Sequence, residues 1–325
     1  MTQIVDALSL PSQNVPEALR TETYFDLNAH AFRHSELLRN PALSSVAAVI
    51  NGIGEYVTQW LDTTLPALPT DGAAETLVDE APAHAFCSGR FRVVVARGAR
   101  FEPSSIIGVR RDENPNTLYI GHGAHVHGDV CLSHGSIHVG DGTLIERGAT
   151  VKGPAILGEN NQVRSGAYLR ENVLIGDGGT FRGELKNVVM LDRASYVHPC
   201  YVADSLCGYK SHFGAQAVTA NFGIFEGVRE TERPRNVRLR LQDTVYDLGR
   251  PWFGAVIGDF CQVGCNSVMD PGTFLRPSTI VYPLTRLSSG VYGPNVVLKN
   301  KPLAHGIIES APLIRISEQA EKTEK

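Results

Sequence analysis

The six cysteines of this chain, Cys87, Cys131, Cys200, Cys207, Cys261 and Cys265, form no CxxC motif and no paired framework. Free thiols in a reducing compartment follow from that spacing. No uninterrupted run of ~18 apolar residues is available to span a membrane. The N-terminus has no basic stretch ahead of an apolar one, so no secretion signal is expected and the cytoplasm follows. Neither charge sign dominates: 30 Lys and Arg stand against 34 Asp and Glu, for a net charge of −4. That balance gives no reason to expect nucleic acid or an anionic membrane as a partner. The remainder reads as an ordinary globular chain of 325 residues, 42% hydrophobic and 20% charged. It is long enough for one large or two modest domains with a substantial core.

An apolar residue recurs at every sixth position through Val139, Ile145, Val151, Leu157, Val163, Leu169, Ile175 and Phe181. The beat resumes at Ile257, Val263, Met269, Leu275 and Val281. Glycine often follows directly, as at Gly140, Gly158, Gly176, Gly258 and Gly264. A period of six is neither helical nor simply alternating. It is the hexapeptide signature of a parallel β-helix, each unit forming one flat side of a prism with one side chain pointing inward. Glycine would allow the sharp corners where a Cβ clashes. Cys207 falls where an inward residue would.

The first part of the chain lacks this beat. In Ala42–Leu61 the residues Val46, Val49, Ile50, Ile53, Val57 and Leu61 recur at helical spacing, and Asn40-Pro41 suits a helix start. A small helical region capping the open end of the prism is expected, because such ends leave unpaired backbone edges. Residues 64–82 read as a Pro/Ala/acid linker, so the expected divisions are 1–82, a β-helix over 83–310 and a flexible tail over 311–325. Repeats begin weakly near Phe91 and continue to about Ala220. Residues 222–253 break them with an excursion ending in a β-hairpin around Gln242-Asp243. Five arginines crowd there, Arg229, Arg233, Arg235, Arg238 and Arg240, interspersed with Glu226, Glu230, Glu232 and Asp243. They suit either a grip on phosphates or a solvated, partly self-paired surface.

Chemistry on a packed prism belongs outside it. Arg170 and Lys186 are spaced to stack on adjacent coils, roughly 4.8 Å apart along the axis. Two cations so close accept an anion such as phosphate between them, or are simply solvated, with Lys186 paired to Glu184. If Val197, six residues after Leu191, points inward, His198 points outward. A histidine there could take a proton from an amine or hydroxyl attacking a thioester, or be a plain surface imidazole. Tyr201 and Asn221 could hydrogen-bond a sugar, or each other. Five histidines, His122, His125, His127, His134 and His138, cluster early. They lack the wide spacing followed by H-x4-H of the zinc carbonic anhydrase prisms. They read as solvated coil edges, and no metal is expected.

The run R-ENVLIG…GELKN…HPCYVADS…FGAQAVTAN, from Arg170 to Asn221, resembles the C-terminal acetyltransferase domain of bifunctional sugar-1-phosphate nucleotidyltransferase/acetyltransferases. There the pattern looks like R-x-x-V-x-I-G…E-x-K-N…H-x-x-Y-x-G-D-S…G-A-G-T-x-x-x-N. The excursion before LGRPWFGAVIGD looks like the archaeal, glucosamine-1-phosphate acetyltransferase-like branch. The likeness covers roughly 90–300 and is specific in its centre. It implies a mainly β fold, a left-handed parallel β-helix assembling as a homotrimer, with acetyl-CoA bound between neighbouring prisms. By position it implies His198 as general base, Arg170 and Lys186 on the sugar phosphate, and Tyr201 on the sugar. Asn221 would contact the sugar or the acetyl group. Gln216, Ala217 and Lys299 would flank the acetyl-CoA, and His212 replaces the family's sugar-binding Asn. Lys301 is a further candidate for the CoA 3′-phosphate.

The sequence departs from that pattern in named places. The nucleotidyltransferase domain is absent, with a largely helical segment in its place. Ala203-Asp204-Ser205 replaces GDS, Gly214-Ala215-Gln216-Ala217 replaces GAGT, and Pro251-Trp252-Phe253-Gly254 replaces a basic step. Bulk at Gln216 is expected to narrow the acetyl channel. Two functional classes follow. One is an acetyl-CoA-dependent N-acetyltransferase acting on an aminosugar phosphate. The other is a non-catalytic trimeric module that binds a sugar nucleotide or scaffolds a separate nucleotidyltransferase.

Overall fold

The computed structural model describes residues 3–68, 74–78, 91–102, 106–108, 116–228, 233–300 and 308–312. Cys87, Arg229, Glu230, Glu232, Lys301, much of the expected linker and the tail beyond Pro312 lie outside the described residues. The chain is a left-handed parallel β-helix of about ten turns. Every inward residue of the two hexad series is buried, from Val139 to Phe181 and from Ile257 to Val281, and so is Cys207. Successive coils stack in parallel register, Thr150 on Tyr168 and Gln162 on Thr180. The glycine after an inward residue is there for space. A Cβ on Gly140 would lie 2.4 Å from the Gly158 carbonyl, and one on Gly208 2.5 Å from the Asp259 amide.

Three faces carry the strands. Face one holds Tyr168–Leu169, the start of Glu184–Met190 and of Tyr201–Cys207, then Val218–Thr219 and Val268–Met269. Face two holds Val173–Ile175, the ends of those two long strands, Ala255–Ile257 and Thr273–Leu275. Face three holds His125–Val126, Gln162–Val163, Ser195–Tyr196, His212–Phe213 and Val296–Asn300. The bend from face one to face two is taken by Asn172, Asn187 and Asp204, at φ of 61°, 47° and 49°. Asn and Asp tolerate this left-handed conformation best among residues with a Cβ.

The beat slips between Phe181 and Cys207 because the coil shortens there. Thr180 pairs with Ser195 and Phe181 with Tyr196, three residues fewer than a full turn. Tyr196, fully buried, fills the interior. Val197 is only half-buried, which corrects its expected inward place. The large ring occupies the volume that a normal hexad residue would share with its neighbours, its centroid 4.5 Å from that of Phe213 in a tilted arrangement.

The N-terminal region does not cap the end. Its helix, Val46–Thr64, lies along face two and touches strands of successive coils from Cys131–Val139 to Tyr201–Cys207. Face two is apolar outside as well as inside. Ile156, Leu174, Val189, Leu206, Val256 and Phe274 point outward into a second core with Ile50, Ile53, Val57 and Leu61. Each such burial contributes roughly 1.5–3 kcal/mol, which favours a flank over an end. The helix begins after Ser45, whose hydroxyl accepts from Ala48 N at 3.1 Å, and not at Asn40-Pro41.

Two further additions surround the prism. Within the expected linker, Ala74–Val78 is a strand paired antiparallel with Phe91–Val95. The hairpin of the excursion pairs Arg238–Leu241 with Thr244–Asp247, and Gln3–Asp6 joins it in parallel as a third strand. No helix among the described residues is long and apolar enough to cross a membrane.

Candidate active site

Arg170 and Lys186 stand on adjacent coils at the end of face one. Leu169 pairs with Leu185, and Arg170 N donates to Leu185 O at 2.7 Å. Arg170 Nη1 donates to Glu184 Oε1 at 2.9 Å, and Nη2 lies 3.6 Å from Glu171 Oε1. The hydrogen bond to Glu184 holds the guanidinium pKa up. Glu184 therefore pairs with Arg170 and not with Lys186. Lys186 makes no ion pair among the described residues, and Arg170 Nε is buried without a hydrogen-bond partner. Buried donors are nearly always satisfied, so this corner carries spare donor capacity. Lys152 extends the cation column, with its Nζ 2.6 Å from Tyr168 Oη and 5.0 Å from the ring centroid.

Tyr201 lies one coil on, paired with Glu184 and Val218. Its hydroxyl donates to Asn221 Oδ1 at 3.3 Å, so the two residues bond each other. Burial raises the phenol pKa. Asn221 Nδ2 donates to Asp204 Oδ2 at 2.6 Å. The other oxygen, Oδ1, accepts from Asn187 Nδ2 at 2.9 Å and Arg250 Nη2 at 3.0 Å. Asp204 is fully buried, so a charge here has to be paired to persist. Arg250 Nη1 also reaches Ile50 O at 3.3 Å, tying the network to the long helix.

His198 is exposed in the turn that carries the chain from face three to face one. The same turn one coil on holds Gln216, whose amide donates to Pro199 O at 2.7 Å. Gln216 has φ of 61°, the conformation for which the family pattern has glycine, and its side chain is exposed. The column continues through Cys265 and Leu284, each coil bonded to the last. Ala217 points into the prism core, its carbonyl taken by Tyr201 N and its amide by Gly214 O. Side chain and backbone alike are committed, which removes Ala217 from the residues that touch a ligand. His212 lies on face three, half-buried, paired with Ser195 and Gln262, away from the face-one corner. Lys299 is at the far end of face three, paired in register with Glu309.

Sequence reasoning passed over Asn187, Asp204 and Arg250. Asn187 and Asp204 were inside the quoted motifs, so position signalled them; Arg250 becomes visible only once the excursion returns. Arg235 pairs with Glu226 at 3.0 Å, so part of the arginine cluster is self-paired. Ala203, in place of glycine, is buried under the returning Gly254 and needs no positive φ. Burial pushes the Cys200, Cys207 and Cys261 thiols up to about 12, which keeps them protonated and inert.

No family model matches the chain. It is 30% identical over 166 residues, 49% of this chain and 69% of the relative, to the uncharacterized acetyltransferase YaiX of Escherichia coli strain 536. It is 28% identical over 127 residues to the bifunctional protein GlmU of Methanococcus vannielii, covering 39% of this chain and 28% of that protein. Among solved structures, the UDP-N-acetylglucosamine acyltransferase of Campylobacter jejuni is 11% identical over 71% of this chain and 82% of its own, with a TM-score of 0.30. The chain spans well under half of GlmU, which bears on the acetyltransferase part of the resemblance alone. Hexad prism, corner motif and YaiX likeness converge: the chain belongs to the hexapeptide acetyltransferase family of YaiX, whose co-substrates are acyl-CoA thioesters.

Proposed function

We propose that the chain is an acetyl-CoA-dependent N-acetyltransferase whose acceptor is an aminosugar phosphate. The observation that carries this reading is the pair Arg170 and Lys186, stacked on neighbouring coils at one corner, with Lys186 in no ion pair among the described residues. A phosphate oxygen accepts from both, and a dianion offsets the repulsion between them. The hydroxyl of Tyr201 and the amide of Asn221 offer hydrogen bonds to the sugar from the next coil. His198 is the general base. The new N–C bond forms at the thioester carbon as the C–S bond breaks; His198 accepts the proton shed by nitrogen and returns it to the departing CoA thiolate. A backbone N–H at a coil corner stabilises the developing oxyanion. Gln216 and Lys299 lie on the coils that follow His198, along the path proposed for the CoA chain. The working unit is a homotrimer with the site between neighbouring prisms, in the cytoplasm.

The test is release of the CoA thiol with a panel of aminosugar phosphates, compared with the same sugars lacking phosphate. A phosphate-dependent rate, with Lys186→Ala raising KM for the acceptor about tenfold or more, supports the reading. Equal rates on phosphorylated and unphosphorylated sugars overturn the anion role. No turnover despite acetyl-CoA binding by calorimetry overturns the acceptor class.

A further inference from the structure

The early histidines do not behave as one group. His122 Nδ1 lies 3.2 Å from Arg97 O, and His134 Nδ1 lies 2.8 Å from Ser133 Oγ. His138 is buried, stacked on Tyr119 at 5.4 Å. His125 and His127 are different. They flank inward Val126, so the two-residue period of a strand puts both rings outside on the same face. The rings stack with centroids 4.2 Å apart. The preceding coil places Phe101 beside Val126, so Glu102 falls beside His127, its amide donating to Val126 O at 3.1 Å.

We infer that Glu102, His125 and His127 form a binding site for a divalent transition-metal ion of the zinc type. One ligand atom from each of the three lies within 4.8 Å of the other two. His125 Nε2 is already 3.0 Å from Glu102 Oε1. Tetrahedral ligands on zinc, with metal–ligand distances of about 2.0–2.2 Å, stand ~3.3 Å from one another. The His125–Glu102 spacing is already close to that value, and rotamer shifts within the 4.8 Å limit close the site. Two imidazoles and one carboxylate are a donor set zinc accepts readily, and three protein ligands leave a fourth position open.

Holding the coil corner does not require the histidines. Two coils on, Glu146 performs the same task, accepting from Ser165 N at 3.0 Å with Gln162 as a further partner and no histidine. One cation competes: Arg147 lies 4.0 Å from Glu102 Oε2 and 3.7 Å from Asp129. Its side chain is 64% exposed, so it can swing into solvent when an ion enters.

The experiment is calorimetric titration of zinc chloride into the full chain after chelator treatment. One ion per chain is expected, and His125→Ala, His127→Ala and Glu102→Gln should each weaken it by at least about tenfold. His122→Ala and His134→Ala serve as controls and should bind as the parent does. Circular dichroism melts confirm that each variant is folded. Absence of saturable zinc binding overturns the inference. So does unchanged binding by the folded His125→Ala/His127→Ala double variant, or equal weakening by the two controls.

Discussion

His198 and Asp204 represent two kinds of residue at opposite ends of face one, one exposed and one sealed. Replacing His198 removes only a proton acceptor, since nothing else in the described chain hydrogen-bonds to it. His198→Ala should therefore lower kcat by roughly 10²–10⁴ with little change in KM, read as CoA thiol release. An unchanged kcat would discard the base assignment. Asp204 carries structure. It holds Asn221 at 2.6 Å, Asn187 at 2.9 Å and Arg250 at 3.0 Å from within a fully buried position. Asp204→Ala leaves the partly buried Arg250 without its counter-charge and the Asn187 and Asn221 amides without their acceptor, and should cost about 3–5 kcal/mol in a urea melt. Because Tyr201 leans on the same network through Asn221, the variant should also raise KM for the acceptor.

Among the elements, the long helix is held to face two by apolar packing and by two imidazoles that must stay neutral. His34, with its Nδ1 2.8 Å from Tyr56 Oη, and His138, stacked on Tyr119, are pushed down to about 4 by burial. Glu36, Asp141 and Glu159 face them with negative charge and Arg33 with positive charge, without reversing the shift. The unfolded chain takes up protons near pH 6.5 that the folded chain refuses until about 4. Their contribution to stability is thus complete above pH 6.5 and lost as pH falls toward 4, up to about 3 kcal/mol per histidine. Amide protection factors in Val46–Thr64, corrected for the intrinsic exchange rate at each pH, should fall markedly at pH 5 relative to pH 7, and His138→Leu should flatten that dependence. Unchanged protection factors in the parent chain would contradict it. Ile53→Ala, deep in the same interface, should cost about 2–5 kcal/mol in a urea melt.

How much of this was legible varies by element. The inward series from Val139 to Phe181 was plain, because a fixed period needs only one side chain per side. The helical stripe Val46–Leu61 was legible too, but not its destination. The clue was the apolar residue between two inward ones, Leu174 between Val173 and Ile175 or Phe274 between Thr273 and Leu275, which marks a strand buried on both sides. Arg170, Lys186, Tyr201 and Asn221 were placed by spacing and resemblance. Arg250 was not, since a residue that closes a site after a long excursion leaves no local signal. The convergence of Glu102 on His125 escaped because its partner lies on the previous coil.

At the scale of the whole molecule, face two is spent on the helix, so contacts between prisms in the proposed trimer would fall to faces one and three. The turn between those faces carries His198 and Gln216, then Leu284, which is 72% exposed beside an exposed Tyr282. Leu284→Glu should break the proposed trimer into monomers in sedimentation and lower turnover with it, although Leu284 touches no proposed substrate. A monomeric parent chain with full activity would refute the shared-site arrangement.

The strand Gln3–Asp6 has a consequence for synthesis. Its partner, Thr244–Asp247, is made more than two hundred residues later. At ~5–20 residues per second the opening strand waits on the order of ten seconds or more before its mate leaves the ribosome. During that wait the apolar stripe of Val46–Thr64 has only a growing staircase of coils to lean on.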